Sequence, residues 1–194
     1  IDMLSQWLGH ERERISPFRV VEMEKNRALQ VNGLALMLRP DRIDEFADGR
    51  RAVIDYKTRA PSKTRWLGDR PQEPQLPLYS LLDSTIQGIA FAELSTTDPV
   101  KFVALGEELG LAEHDNKSLE SQTRGIATTW SELVEQWKAS LNQLAVEFMA
   151  GAATVTPRPG ACDYCDLAPL CRINELRSGA GLETLEDPSC RWPI

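Results

Sequence analysis

Nowhere does this sequence hold the run of about 18 apolar residues that a membrane-spanning helix needs. A basic start followed by an apolar core is also missing, which argues against a secretion signal. Positive charge is scarce: 22 Lys and Arg stand against 29 Asp and Glu, a net charge of −7. That balance argues against broad coating of nucleic acid, which depends on neutralising many phosphates. No cysteine precedes Cys162, and three of the four cysteines fall within ten consecutive residues. So tight a group suits one metal site better than a disulfide framework, and it implies a reducing compartment. There is no internal repeat and no low-complexity tract. What is present, 194 residues with 42% hydrophobic and 26% charged, is ordinary for a globular domain. The first residue is Ile1 rather than Met, which suggests a piece of a longer polypeptide.

The apolar pattern predicts a helix within residues 1–15, ending near Ser16-Pro17. A strand is expected over Phe18–Lys25, and a second strand or bent pair over Ala28–Leu38, turning at Asn32-Gly33. Strands follow over Arg42–Phe46 and Arg51–Lys57, joined at Asp48-Gly49. Pro61–Pro74 reads as a loop and Gln75–Leu82 as an amphipathic helix. Gly88–Leu94 and Val100–Leu105 read as strands, and Gly106–Gly125 as polar and irregular. Thr128–Ala150 is the clearest helix, with Trp130, Leu133, Val134, Trp137, Leu141, Leu144 and Phe148 at helical spacing. Pro157, Pro159 and Gly160 break the chain before the cysteines. These elements place a main domain over residues 1–155 and a cysteine-bearing tail over 156–194.

Two features carry chemistry. The first is Asp41, then Asp55-Tyr56-Lys57, then Gln75 and Tyr79. Residues two apart on a strand share a face, so Asp55 and Lys57 project together. Asp41 reaches the same face only if the hairpin register allows it. A three-residue loop, Ala47-Asp48-Gly49 with Gly49 left-handed, sets Asp41 opposite Asp55. A two-residue loop sets it opposite Tyr56, on the other face, unless a bulge near Pro40 corrects it. Two carboxylates at one point suit a hard divalent cation such as Mg²⁺ or Mn²⁺. Such an ion can generate a nucleophilic water and stabilise charge on a phosphate. Lys57 adds a positive charge, and Gln75, one helical turn before Tyr79, can reach over the same point. Alone, an Asp-x-Lys strand pair is usually a surface ion pair. The order of the whole set raises the catalytic reading above that.

Leu38-Arg-Pro-Asp41-Arg-Ile-Asp44, Val53-Ile-Asp55-Tyr-Lys57-Thr58 and Pro74-Gln75-Leu-Pro-Leu-Tyr79 resemble the motifs of RecB-type nucleases in the PD-(D/E)XK superfamily. The resemblance implies an α/β fold of the restriction-endonuclease-like kind, a mixed central sheet flanked by helices. It implies Asp41, Asp55 and the main-chain carbonyl of Tyr56 as metal ligands, Lys57 as the catalytic lysine, and Gln75 and Tyr79 as a helix motif. It implies a metal-dependent deoxyribonuclease of exonuclease type in DNA repair, in a bacterial cytoplasm, acting on DNA that is single-stranded or has ends, beside a helicase domain or subunit. Arg59, Lys63, Arg65 and Trp66 are candidate DNA contacts, with Trp66 stacking on bases. The alternative is a non-cleaving module of the same fold that holds DNA or a helicase. Three departures stand out. His10 does not fit the upstream Gly-x-x-x-His pattern and reads as helix surface. Leu38 replaces a usual glycine, and Pro40 is unusual in a strand, favouring an edge or bulge. Glu22 and Glu24 occupy the first-strand position where an acid is often seen.

The second feature is Cys162-x-x-Cys165-x₅-Cys171, three soft ligands suited to zinc or an iron–sulfur cluster. The spacing resembles the C-terminal motif of AddB-like nucleases, which implies a [4Fe-4S] cluster with a fourth cysteine from upstream. Cys190 is the other candidate for that fourth place.

Overall fold

The computed structural model describes residues 2–106, 111, 117–158, 160–163 and 165–171. Chain contacts divide the protein into two compact units, Ile1–Ala150 and Gly151–Ile194. The first begins with helix α1 (Asp2–Arg12) and strand β1 (Phe18–Met23). Strands β2 (Arg27–Val31) and β3 (Leu34–Leu38) form a separate hairpin. Its loop is Asn32-Gly33, both at positive φ, as a two-residue hairpin turn requires. Strands β4 (Arg42–Phe46) and β5 (Arg51–Lys57) follow, then helix α2 (Gln75–Ser80) and strands β6 (Ile86–Glu93) and β7 (Lys101–Gly106). A short helix α3 (Leu119–Thr123) and the long helix α4 (Trp130–Met149) complete the unit.

The main sheet runs β1-β4-β5-β6-β7. β5 and β6 pair in parallel, with α2 in the crossover between them, and the other neighbours are antiparallel. The mixed central sheet flanked by helices is therefore present as expected. Alternation along the strands splits the core in two. On one face Ile43 and Val53 join Leu76 and Tyr79 of α2 and Trp130, Leu133, Trp137, Leu141 and Ala145 of α4. On the other, Phe46, Ala52 and Ile54 pack with Ala90, Ala92, Phe102 and Trp7 of α1. Helix α4 starts on a capping box, with Thr129 and Glu132 satisfying each other's backbone N–H groups. Its buried positions recur every three to four residues, so one stripe faces the sheet.

Several expectations shift. Pro61–Pro74 contains a 3₁₀ turn, Lys63–Trp66. The β1–β4 register slips between Val20 and Glu22, a bulge that was not anticipated. Part of Gly106–Gly125, all of residues 172–194 and therefore Cys190 lie outside the described residues. In the second unit, helix α5 (Ala168–Cys171) carries the last cysteine of the triplet. Cys162, Cys165 and Cys171 are each half-buried. Among the described residues, no group of three or more His, Cys, Asp or Glu side chains is gathered to hold a metal ion.

Candidate active site

The β4–β5 hairpin decides where Asp41 goes. Arg42 pairs with Ile54, Ile43 with Val53, Asp44 with Ala52 and Glu45 with Arg51. Phe46 N–H donates to the Arg50 carbonyl, which leaves Ala47-Asp48-Gly49 as the loop, with Gly49 at φ +85°. This is the three-residue loop, and glycine supplies the left-handed residue without steric cost. One step beyond Arg42–Ile54, Asp41 stands across from Asp55. The two carboxyl groups also act on each other electrostatically.

Asp55 lies on the inner face of β5 and is 2% exposed. Its Oδ1 accepts from Gln75 Nε2 at 2.7 Å. Lys57 Nζ forms an ion pair with its Oδ2 at 2.7 Å and also donates to Gln75 Oε1 at 3.2 Å. Burial pushes the Asp55 carboxyl above its ordinary pKa. Lys57 opposes that rise, and the Asp41 charge adds to it. Asp41 Oδ2 accepts the Tyr56 backbone N–H at 3.0 Å. From α2, Tyr79 Oη accepts from Gln75 Nε2 at 3.1 Å and donates to the Arg39 carbonyl at 3.1 Å. Helix α2 is thereby tied to the segment that carries Asp41. Burial, followed by the Asp55 and Asp41 charges, raises the Tyr79 pKa, so its hydroxyl stays protonated at neutral pH.

The site therefore brings together Asp41, Asp55, Tyr56, Lys57, Gln75 and Tyr79. It does not bring in the others. Trp66 is wholly buried, with its ring 5.2 Å from that of Phe91 and its carbonyl accepting from Trp137 Nε1 at 2.7 Å. A ring in that position has no face to offer a base, so the stacking expectation is corrected. Lys63 donates to the Ala104 carbonyl. Arg59 and Arg65 are exposed, and Arg65 sits 3.5 Å from Glu73. Glu22 Oε1 pairs with Arg27, and Glu24 pairs with Arg39. His10 packs against Trp7 and Phe102 on the opposite side of the sheet.

A sequence profile of the PD-(D/E)XK nuclease superfamily matches residues 2–172. The chain belongs to that superfamily. The letters of that name recur in this sequence as Pro40-Asp41 and Asp55-Tyr56-Lys57. The solved structure of SSO0001 aligns over 89% of this chain and 68% of its own, at 18% identity and a TM-score of 0.39. That likeness adds nothing to the site. No curated protein matches.

Behind the sheet lies a group that sequence reading missed. Arg42 holds Asp44 through two hydrogen bonds, 2.6 and 2.9 Å, and reaches Glu11 and the Tyr56 hydroxyl at 2.8 and 3.0 Å. Arg14 adds a 2.7 Å contact to Asp44 and stacks 3.5 Å over the Phe18 ring. Burial alone would lower the Arg42 pKa. Hydrogen bonds to Asp44 and Glu11 more than offset it, so the guanidinium stays charged. The only signal was Arg-x-Asp on a strand, which ordinarily reads as solvated charge.

Proposed function

We propose that this domain is a Mg²⁺- or Mn²⁺-dependent deoxyribonuclease of RecB type, acting in DNA repair on ends or single strands, beside a helicase. The observation that carries the reading is the hairpin register, which sets Asp41 and Asp55 together at a buried point beside Lys57. The residues fit a hard cation. Two carboxylates meet there against one ammonium, Lys57, and the buried one is raised in pKa by burial and by its neighbour, so the point suits an added positive charge. Mg²⁺ is commonly held by one or two carboxylates, with waters and substrate phosphates filling the rest.

Asp41, Asp55 and the Tyr56 carbonyl are read as ligands. When bound, the ion lowers the pKa of a coordinated water and neutralises charge on the scissile phosphate. The remaining work belongs to the chain. Lys57, held between Asp55 and Gln75, is placed to contact the phosphate or orient the attacking water. Gln75 fixes both Asp55 and Lys57 through one amide, and Tyr79 fixes Gln75. Exposed Arg59 and Arg65 supply charge for the strand. The cysteine triplet is read as three ligands of a [4Fe-4S] cluster, checked by iron and acid-labile sulfide analysis of protein purified without oxygen.

The direct test is cleavage of end-labelled single- and double-stranded DNA with Mn²⁺. Wild type is expected to cut, with Asp55→Ala and Lys57→Ala each at least about a hundredfold slower. Equal rates in all three would refute this assignment. Mn²⁺ binding without any cleavage by wild type would instead identify a non-cleaving module.

A further inference from the structure

The hairpin register has a consequence at Pro40. Phe46 and Arg50 form a hydrogen-bonded pair, and such pairs recur at every second position. Asp44–Ala52 and Arg42–Ile54 are therefore of the same kind, and the next in the series is Pro40–Tyr56. In an ordinary ladder, residue 40 would give its N–H to the Tyr56 carbonyl and take the Tyr56 N–H in return. Neither half is made here. Proline has no N–H to give. The Tyr56 N–H goes to Asp41 Oδ2 at 3.0 Å. The outward direction is already used: Lys57 gives its carbonyl to Leu94 on the β6 side, so Tyr56, one residue before, faces β4. Pro40 is buried and stands just before β4 begins, where the missing donor costs the sheet nothing else.

We propose that Pro40 is a positioning residue, whose missing N–H keeps the Tyr56 carbonyl free as an oxygen ligand for the divalent cation. The inference rests on the nuclease reading above. It gives a purpose to a proline placed at the entry to the internal strand β4. It also gives the rear network a purpose. Arg42, fixed by Asp44 and Glu11, holds the Tyr56 hydroxyl at 3.0 Å, so the peptide carrying the free carbonyl is anchored from behind.

The test is Pro40→Ala, which restores a donor opposite Tyr56. Mn²⁺ binding is measured by calorimetry, alongside thermal melting of the metal-free protein. The expected result is a loss of about tenfold in Mn²⁺ affinity with the melting temperature held. Pro40→Val supplies the same N–H on a residue that favours extended backbone, and it is expected to weaken Mn²⁺ equally. Unchanged affinity in either folded variant would overturn the proposal. So would affinity that falls only in step with the melting temperature, because the proline would then serve the fold alone. A wild-type protein that binds no Mn²⁺ would overturn the nuclease reading and this inference together. Wild-type binding that is lost in Asp55→Ala but unchanged in Pro40→Ala would overturn this inference alone.

Discussion

Tyr79→Phe isolates the brace that holds the site together. The ring is 5% exposed and packed in the core, so phenylalanine keeps its contacts and leaves no cavity larger than the hydroxyl. What is lost is one donated bond to the Arg39 carbonyl and one accepted bond from Gln75 Nε2, each at 3.1 Å. A hydrogen bond contributes about 0.5–1.5 kcal/mol net, so two give about 1–3 kcal/mol. The lower half of that range applies here. Gln75 Nε2 keeps its bond to Asp55, so only the Arg39 carbonyl loses its protein donor. The expected cost is about 1–2 kcal/mol, or roughly 2–8 °C in melting temperature for a chain of this size. Urea and thermal unfolding at neutral pH measure it. A double-mutant cycle with Gln75→Leu should show a coupling of at least about 0.5 kcal/mol, since the two side chains touch. No loss of stability, or a coupling near zero, would refute the brace.

Other consequences follow from the same geometry. Asp55→Asn should raise the melting temperature of metal-free protein at neutral pH while abolishing Mn²⁺ binding. The raised Asp55 pKa means that its ionised form is penalised in the folded state. That penalty is complete above the folded pKa and vanishes below the ordinary carboxylate value, so the advantage of the variant should close on acidification. An unchanged gap between the two melting curves across that range would contradict the burial argument. Trp137→Phe should cost about 1–3 kcal/mol in urea unfolding, because the buried Trp66 carbonyl loses its donor; a neutral result would show that water replaces it. Arg59→Ala and Arg65→Ala should each lower the salt dependence of single-stranded DNA binding by about 0.7 in log–log slope. An unaltered slope would remove these residues from the DNA path.

Much of the fold was legible because local chemistry and tertiary context agreed. Asn32-Gly33 and Asp48-Gly49 demanded turns, and the glycine in the second turn fixed a register that carried Asp41 to Asp55. The i, i+4 spacing of Gln75 and Tyr79 placed both on one helical face, and they hydrogen-bond there. The errors lie where distant packing decides. Trp66 sits in a polar, proline-bounded segment, yet α4, more than sixty residues later, buries it. Nothing local to Arg42 and Asp44 announces their burial; α1 and the chain after it bring Glu11 and Arg14 to cover them. Pro40 looked like an obstacle to a strand. Extending the hairpin register two steps past Arg42–Ile54 brings it level with Tyr56, where the proposed role of its missing donor arises.

The central claim is that the three-residue hairpin builds a divalent-cation site from Asp41 and Asp55. Anomalous diffraction from a Mn²⁺-soaked crystal tests it most directly. The account predicts one strong peak within coordination distance of both carboxylates and of the Tyr56 carbonyl, absent from Asp55→Ala crystals. A peak elsewhere, or one that survives Asp55→Ala, would contradict it.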